Sequence, residues 1–336
     1  MPTATWTALL VQRALRTCAA LLITSATAHA ADPQAPRAQV LAPKLWLIPG
    51  GFPADRQPDG NTVIFEAETG FIVMDTGRHT WHRQAIIDFA RERNKPITAI
   101  INSHWHLDHS SGNADIKRKH PLARLYTGVA VEKMIREVWP TSVARSQAYL
   151  DSGKATGGLA QDIIGDIETR RYPQALVPDV AVTASSMRTI DGMKLDVRFA
   201  PNAATDGDVW VYDPFSRVAA AGDLITLPVP FLDTACVKGW RRALGEMMTT
   251  PFAMVVPGHG PPMGRSEFTT YKNAFEVYTD CAASTANKSA CASNWLKATV
   301  LLRAPDPPDD PRAKEMAEEY VDLLRENGGN GLRCMQ

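Results

Sequence analysis

Three histidines and one aspartate fall within six positions of one another, in the run Ser-His-Trp-His-Leu-Asp-His. The run supplies donor side chains at His104, His106, Asp108 and His109. Imidazole nitrogen and carboxylate oxygen are ligands that suit zinc, and a catalytic zinc site keeps one position open for water. The whole chain has only eight histidines, so chance enrichment of a polar surface loop is a poor explanation. The spacing therefore predicts a catalytic metal site.

The donor run needs a rigid support, and the sequence before it supplies one. Residues 97–101 form a compact apolar run that predicts a buried strand. Residues 45–48, 62–66 and 71–74 are also strand-like, and residues 82–93 have helical spacing. Short apolar runs bounded by turn residues return at 195–199, 209–212, 218–221 and 252–256. This alternation indicates an α/β fold in which the donors lie just beyond a strand end.

The spacing His-x-His-x-Asp-His resembles the signature of the metallo-β-lactamase superfamily, in which the first two histidines serve one metal and the aspartate and last histidine a second. Three further runs resemble motifs of that family, in the same order along the chain. Asp75, in Phe-Ile-Val-Met-Asp-Thr-Gly, would brace the metal loop, and Asp223, in Ala-Gly-Asp, would bridge both metals. His259, in Pro-Gly-His-Gly, would complete the second site. The resemblance covers about residues 45–262 and implies a four-layer αβ/βα sandwich.

One motif departs from the family pattern. The family usually has a histidine before a Thr-x-Gly-Asp run, and that histidine completes the first metal site; here Ala204 stands in its place. Asn202 and Asp206 are the candidates for a substitute donor. The resemblance then leaves three donors for the first site, from His104, His106 and Asp223, and four for the second, from Asp108, His109, His259 and Asp223. Three protein ligands plus water are enough for a catalytic zinc, so we expect one or two zinc ions with a weakened first site.

The resemblance implies a zinc-dependent hydrolase in which metal-bound hydroxide attacks an ester, thioester, lactone or amide, and Asp108 both binds metal and orients the nucleophile. A β-lactamase is an alternative, although that activity in the superfamily usually accompanies Cys or Ser at the position of Asp223. A degenerate, non-catalytic metal-binding member is another alternative. Ala204 supports it, and the other six donor positions argue against it.

The first 30 residues have the pattern of an export signal. Arg13 and Arg16 precede an apolar stretch, and Ala28-His29-Ala30 matches a small-x-small cleavage site. The sequence therefore predicts a periplasmic or secreted protein. Removal of the signal peptide would also remove Cys18 and leave four cysteines, of which Cys281 and Cys291 are the expected disulfide pair. Cys236, shortly after Asp223, is predicted to be in a disulfide or a buried thiol.

The sequence also predicts how the chain is divided. After the signal peptide come a linker at 31–44, the metallo-β-lactamase-like domain at 45–262 and a helical C-terminal extension at 263–336. Residues of about 128–170 are predicted to form either a helical insertion over the site or an ordinary packing layer. Lys plus Arg equals Asp plus Glu at 36 each, so the charge balance gives no reason to expect a nucleic acid. The apolar run near the N-terminus is too short to span a bilayer and no later segment looks transmembrane, so we expect no stable membrane insertion. The resemblance implies a small-molecule substrate.

Three side chains near these motifs are harder to assign. Trp105 would either line the pocket or pack within its loop. His79 and His82 follow the Asp75 motif and could approach the site, but the favoured prediction is that they are surface residues at the start of a helix.

Overall fold

The computed structural model describes residues 35–53, 55–303 and 310–334. The predicted signal peptide at 1–30, with Cys18 and His29, lies outside the described residues, as does the beginning of the predicted linker.

The N-terminal half forms a sheet whose strands follow one another in chain order. Parallel pairing begins between β4 and β5, where Val73 lies opposite Ile100, and continues through β6 and β7. In the described residues the strands are β1 (Gln39–Ala42), β2 (Leu45–Ile48), β3 (Thr62–Glu66), β4 (Phe71–Met74), β5 (Ile97–Ile101), β6 (Arg124–Gly128) and β7 (Val180–Val182). β1 pairs with β2, so the C-terminal part of the predicted linker is an edge strand of the domain.

The second sheet is formed by the later strands. Its order is β13-β12-β11-β10-β9-β8, and β11 and β12 pair in parallel. The strands are β8 (Ser186–Ile190), β9 (Met193–Pro201), β10 (Gly207–Asp213), β11 (Val218–Ala220), β12 (Met254–Val256) and β13 (Met263–Gly264).

The two sheets pack face to face around one apolar layer that includes Phe65, Ile101, Leu195 and Val211. Helix α1 (Thr80–Glu92) covers the outer face of the first sheet through residues such as Ile86. The second sheet is covered by α7 (Val237–Thr249), α8 (Arg265–Ala283), α9 (Lys288–Ala298) and α10 (Pro311–Glu326). The predicted αβ/βα sandwich is confirmed, and the predicted C-terminal helices form part of its outer layer.

Helices also fill the segment between β6 and β7. They are α4 (Ala130–Lys133), a π-helical turn (Met134–Val138), α5 (Trp139–Asp151) and α6 (Gly157–Arg171). Met134 and Trp139 pack against Leu107 of the donor run, so this insertion supports the predicted metal loop. Helices α2 (Leu107–Ser110) and α3 (Asn113–Lys119) continue from that loop.

Two disulfides fasten the second half of the chain. Cys281 pairs with Cys291, as the sequence predicted, and Cys236 pairs with Cys334 across 98 positions. Within the described residues, the helices are too short or too polar to cross a membrane.

Candidate metal centre

The predicted donors come together at one edge of the sandwich because each follows the end of a strand. His104 and His106 lie beyond β5, and the short helix α2 then carries Asp108 and His109. Asp223 follows β11 and His259 follows β12. Because β11 and β12 are parallel, their carboxyl ends meet at the same edge, which brings residues 36 positions apart into one site.

The six side chains form two groups, each compact enough to hold one ion. His104, His106 and Asp223 make the first group, and Asp108, His109 and His259 make the second. Within the second group, His259 Nε2 lies 3.0 Å from Asp108 Oδ2 and 3.2 Å from His109 Nε2.

Asp223 lies between the two groups. Its Oδ2 atom is 3.6 Å from His104 Nε2 and 4.0 Å from His106 Nδ1. Its Oδ1 atom is 3.1 Å from His109 Nε2 and 3.6 Å from His259 Nε2. One carboxylate oxygen therefore faces each group, which is the arrangement that a bridging ligand requires.

Buried polar atoms at the centre fit a cation. His104 is fully buried and Asp223 is 2% exposed, yet His104 Nε2 and both Asp223 oxygens have no hydrogen-bond partner among the described residues. Buried polar groups are normally paired, because an unpaired one costs about 1–3 kcal/mol. Imidazole and carboxylate donors around these atoms match the preferences of zinc, so the residues fit the metal that the sequence predicted.

Burial and neighbouring charges shift the pKa values of donor side chains. Burial and the neighbouring imidazoles of His106 and His109 hold the pKa of His104 well below its usual value. Burial also opposes protonation of His109, but the carboxylates of Asp223, Asp108 and Asp75 outweigh it and raise its pKa. For Asp108, burial is outweighed by the charges of His109 and His259, which lower its pKa well below the usual value. A cation would take the place of the proton on His109.

Asp75 contacts two residues of the donor loop, which fits the bracing role that the resemblance implies. Its Oδ2 atom lies 2.9 Å from His109 Nδ1. Its two oxygens also accept hydrogen bonds from the backbone N–H and the hydroxyl of Ser103, both at 2.7 Å. The Ser103 hydroxyl lies 2.8 Å from His104 Nδ1. Asp75 thus orients one histidine from each group.

Two glycines let the backbone approach the donors closely. A Cβ atom at Gly60 would lie 2.4 Å from His109 Cε1, and one at Gly258 would lie 2.0 Å from Asp223 Oδ1. Either distance is far too short for non-bonded atoms, so both positions require glycine. Gly258 belongs to a recognised motif, whereas nothing in the sequence identified Gly60.

The position of the missing histidine has no replacement donor among the residues that the sequence suggested. Asn202 and Asp206 line a separate cavity with Lys133 and Arg136, and Asp206 belongs to neither metal group. Ala204 itself is buried, and its carbonyl accepts a 2.8 Å hydrogen bond from the Thr234 hydroxyl. The same hydroxyl lies 3.4 Å from His106 Nε2, leaving Nδ1 to face Asp223. Thr234 is thus a contact of the site that sequence reasoning missed.

The prediction that His79 and His82 are surface residues was wrong, since both are buried. His79 lies between two carboxylates, 2.7 Å from Asp59 Oδ2 and 3.0 Å from Asp162 Oδ1. His82 Nε2 lies 2.8 Å from the Thr62 hydroxyl. Asp162 belongs to α6, so His79 connects the helical insertion to the domain. A partner 83 positions away explains why local sequence patterns missed it.

The open side of the centre is a cavity of about 280 Å³ whose lining includes Trp105, His106, Asp108, Phe231 and Thr234. Trp105 also packs against the cluster around Leu107, so both of its predicted roles apply.

A second, more apolar cavity of about 610 Å³ is lined in part by Phe52, Leu227 and Phe231. The rings of Phe52 and Phe231 lie 5.2 and 5.3 Å from that of His259.

Sequence comparisons agree with this geometry. The family model described as "Metallo-beta-lactamase superfamily" matches residues 56–259. A linear primary-alkylsulfatase from Pseudomonas sp. is 26% identical over 227 residues, which cover 61% of this chain and 42% of the relative. An atrochrysone carboxyl ACP thioesterase from Aspergillus fumigatus is 33% identical over 95 residues, covering 27% of this chain and 30% of the relative. The chain thus spans less than half the length of these curated relatives.

Solved structures include a similar fold. A metallo-β-lactamase family protein from Thermus thermophilus superposes with a TM-score of 0.58 at 18% identity, covering 86% of this chain and 95% of that one.

Proposed function

Because the chain belongs to the metallo-β-lactamase superfamily, we propose that it is a zinc-dependent hydrolase of a small-molecule ester, thioester, lactone or amide. The observation that carries the proposal is the pair of donor groups joined by Asp223, whose two oxygens are buried without a hydrogen-bond partner in the described residues. The thioesterase relative supports cleavage of an acyl bond.

Zinc in these groups would supply Lewis-acid activation of water and of the bond to be cleaved. The protein's own residues orient the donor side chains and set their charge. Asp75 accepts a hydrogen bond from His109 Nδ1 and thereby leaves Nε2 toward the metal side. Asp108 is held ionised, with Arg78 at 3.6 Å, and can orient a water molecule by accepting its hydrogen bond.

The cavities indicate the size and character of the substrate. Volumes of about 280 and 610 Å³ suit a small molecule rather than a polymer. Phe231 contributes to both cavities, so an apolar part of the substrate can pack beside His259 while the reacting bond lies near His106 and Asp108.

A metal count and a substrate panel test the proposal. The purified protein should contain zinc and hydrolyse at least one ester, thioester, lactone or amide. A chelator should abolish this activity, and added zinc should restore it. His259→Gln should lower both metal content and activity, whereas His120→Gln, at a histidine outside the donor groups, should change neither. Zinc-loaded protein that hydrolyses nothing in the panel would favour the degenerate, non-catalytic alternative.

Sulfate ester cleavage is a second candidate. It is favoured by the similarity to a linear primary-alkylsulfatase. A primary alkyl sulfate therefore belongs in the panel, and release of sulfate without cleavage of any acyl substrate would select this candidate. A β-lactam in the same panel tests the remaining alternative.

We also propose that the protein is exported to the periplasm or secreted. The N-terminal sequence supports this, and so does the presence of two disulfides, which persist in oxidising compartments.

A further inference from the structure

The cavity above His106 and Asp108 has a wall of arginines, of which the proposed metal chemistry uses only Arg78. Arg78, Arg170 and Arg333 all line it. They come from three separate parts of the chain: the loop just before α1, the end of α6 and the C-terminal tail. Three guanidinium groups facing one small cavity repel one another unless acidic groups balance them.

Arg78 is already paired, whereas Arg170 is only partly so. Arg78 forms an ion pair with Asp166 and lies 3.6 Å from Asp108. Arg170 shares the same Asp166, at 3.8 Å. Its Nε–H is buried and donates no hydrogen bond within the described part of the chain. Arg170 therefore retains a donor for which the described residues supply no acceptor.

Arg333 is the least neutralised of the three. Its guanidinium carbon lies 5.8 Å from the centre of the Trp105 ring, and its Nη1 atom is 4.0 Å from the weak acceptor Met134 Sδ. The charges of Asp206 and Asp233 attract Arg333, and Asp233 also lines the cavity, but among the described residues neither carboxylate forms an ion pair with it. Burial and repulsion from Arg145 lower the pKa of Arg333, and burial likewise lowers that of Arg170. Arginine stays charged despite such shifts. Asp108, Asp166 and Asp233 also line the cavity, but Asp108 and Asp166 are engaged mainly with Arg78, so Arg170 and Arg333 are the cations with donors left for an added anion.

The tail that carries Arg333 is fixed in place. The Leu332 N–H donates to the Asp233 carbonyl at 2.9 Å, and the Gly331 N–H donates to the Ala235 carbonyl at 2.8 Å. The next residue, Cys334, is joined to Cys236 by a disulfide. Arg333 is thus held beside the segment that supplies Thr234, and its position needs little further ordering when a ligand binds.

From this geometry we infer that Arg170 and Arg333 form a binding subsite for an anionic oxygen group of the substrate, a carboxylate or a sulfate, beside the metal centre. Guanidinium groups bind such anions by paired, charge-assisted hydrogen bonds. The assignment rests on the proposed function for the identity of the substrate, but the subsite itself can be tested without catalysis. It adds a specificity element that comes from the helical insertion and the C-terminal tail, outside the four metal motifs.

Calorimetric titration with sulfate and with propionate tests the subsite directly, on both metal-free and zinc-loaded protein. Arg170→Gln and Arg333→Gln, singly and together, should weaken anion binding about 10- to 100-fold, as expected for hydrogen bonds to a charged group. Arg171→Gln is the matched control, because Arg171 is the exposed neighbour of Arg170 on the same helix. Preferential binding of sulfate would identify a sulfate ester as the source of the anion, and preferential binding of propionate would identify a substrate carboxylate.

Kinetics supply the second measurement. For two esters that differ only in a terminal carboxylate, the double variant should raise KM for the anionic ester about 10-fold or more and leave KM for the neutral ester unchanged. The subsite is wrong if metal-free wild-type protein binds neither anion, or if the double variant and Arg171→Gln bind them equally well. If anions bind as expected and no ester or sulfate is hydrolysed, the proposed function fails and the subsite stands.

Discussion

The carboxylate of Asp75 contacts the ring nitrogen Nδ1 of His109 at 2.9 Å, on the side of the ring opposite the second metal group. This contact leaves Nε2 as the metal-facing atom and increases the basicity of the ring. Asp75 also accepts two hydrogen bonds from Ser103, so one buried carboxylate fixes the loop that carries the donors.

We expect Asp75→Asn to weaken zinc binding about 10- to 100-fold, because an amide cannot supply the negative charge that the His109 ring and Ser103 share. Competition with a zinc chelator measures the change. Asp213→Asn is a suitable control, since Asp213 is also buried and accepts backbone hydrogen bonds from Phe215 and Ser216 in the turn that follows β10. Equal zinc affinities for the two variants would contradict the bracing role.

Ala204 gives a prediction about stoichiometry. The second group has four donors when Asp223 is included, whereas the first has three, so the protein should hold about one zinc at low free zinc and approach two as zinc increases. Ala204→His should raise occupancy of the first site, because the added imidazole supplies the missing donor. Ala204→Phe has similar bulk without a donor and should not. Two zinc ions bound with equal, high affinity by the unmodified protein would mean that another residue completes the first site.

His79 predicts a pH dependence of stability. Burial lowers its pKa, but hydrogen bonds to Asp162 and Asp59 outweigh burial and raise it. Because the pKa of His79 is raised in the folded protein, its protonated ring stabilises the fold fully below the unfolded-state pKa of about 6.5. This stabilisation is lost as the pH rises through the folded-state pKa. Burial raises the pKa of Asp59, but its contacts with His79 lower it to about 2, so Asp59 remains ionised throughout that range.

In metal-free protein, His79→Gln should therefore lower the free energy of unfolding by about 1–3 kcal/mol near pH 5.5 and by less at alkaline pH. Urea denaturation at several pH values measures this. His120→Gln should show the opposite trend, because burial lowers the pKa of His120. If His79→Gln lost more unfolding free energy at high pH than at low pH, the proposal that the His79 ring is protonated in the folded protein would be contradicted.

The sequence was most informative where a pattern is local. β4 and β5 have the predicted bounds, Phe71–Met74 and Ile97–Ile101, because each is a short, buried, apolar run. The edge strand β8 (Ser186–Ile190) was missed, since its residues are mostly exposed and polar. The motifs suggested all six candidate donors that the structure brings together in two groups. Thr234 was missed because it is separated from His106 by 128 positions in the sequence, and motif spacing does not predict contacts over such a separation.

Export predicts a defined mature N-terminus. The signal should be cleaved after Ala30, so N-terminal sequencing of protein recovered from the periplasm or medium should begin near Ala31. Replacing Ala28 and Ala30 with bulky residues should block cleavage and retain the full-length chain. Protein with intact Met1 in the cytoplasm would refute the export proposal.

The two disulfides should differ in their contribution to stability. Cys236–Cys334 closes a loop of 98 positions and Cys281–Cys291 one of only 10. The entropy that a cross-link removes from the unfolded chain grows with the logarithm of loop length, so the longer loop should contribute roughly 2 kcal/mol more. The double variant Cys236→Ser/Cys334→Ser should therefore lose more unfolding free energy than Cys281→Ser/Cys291→Ser in urea denaturation.

The Cys236–Cys334 disulfide also anchors the tail beside Arg333, so Cys236→Ser/Cys334→Ser should weaken anion binding and Cys281→Ser/Cys291→Ser should not. Equal losses in both measurements would show that the long loop is ordered by its other contacts and that the Cys236–Cys334 bond adds nothing specific to the site.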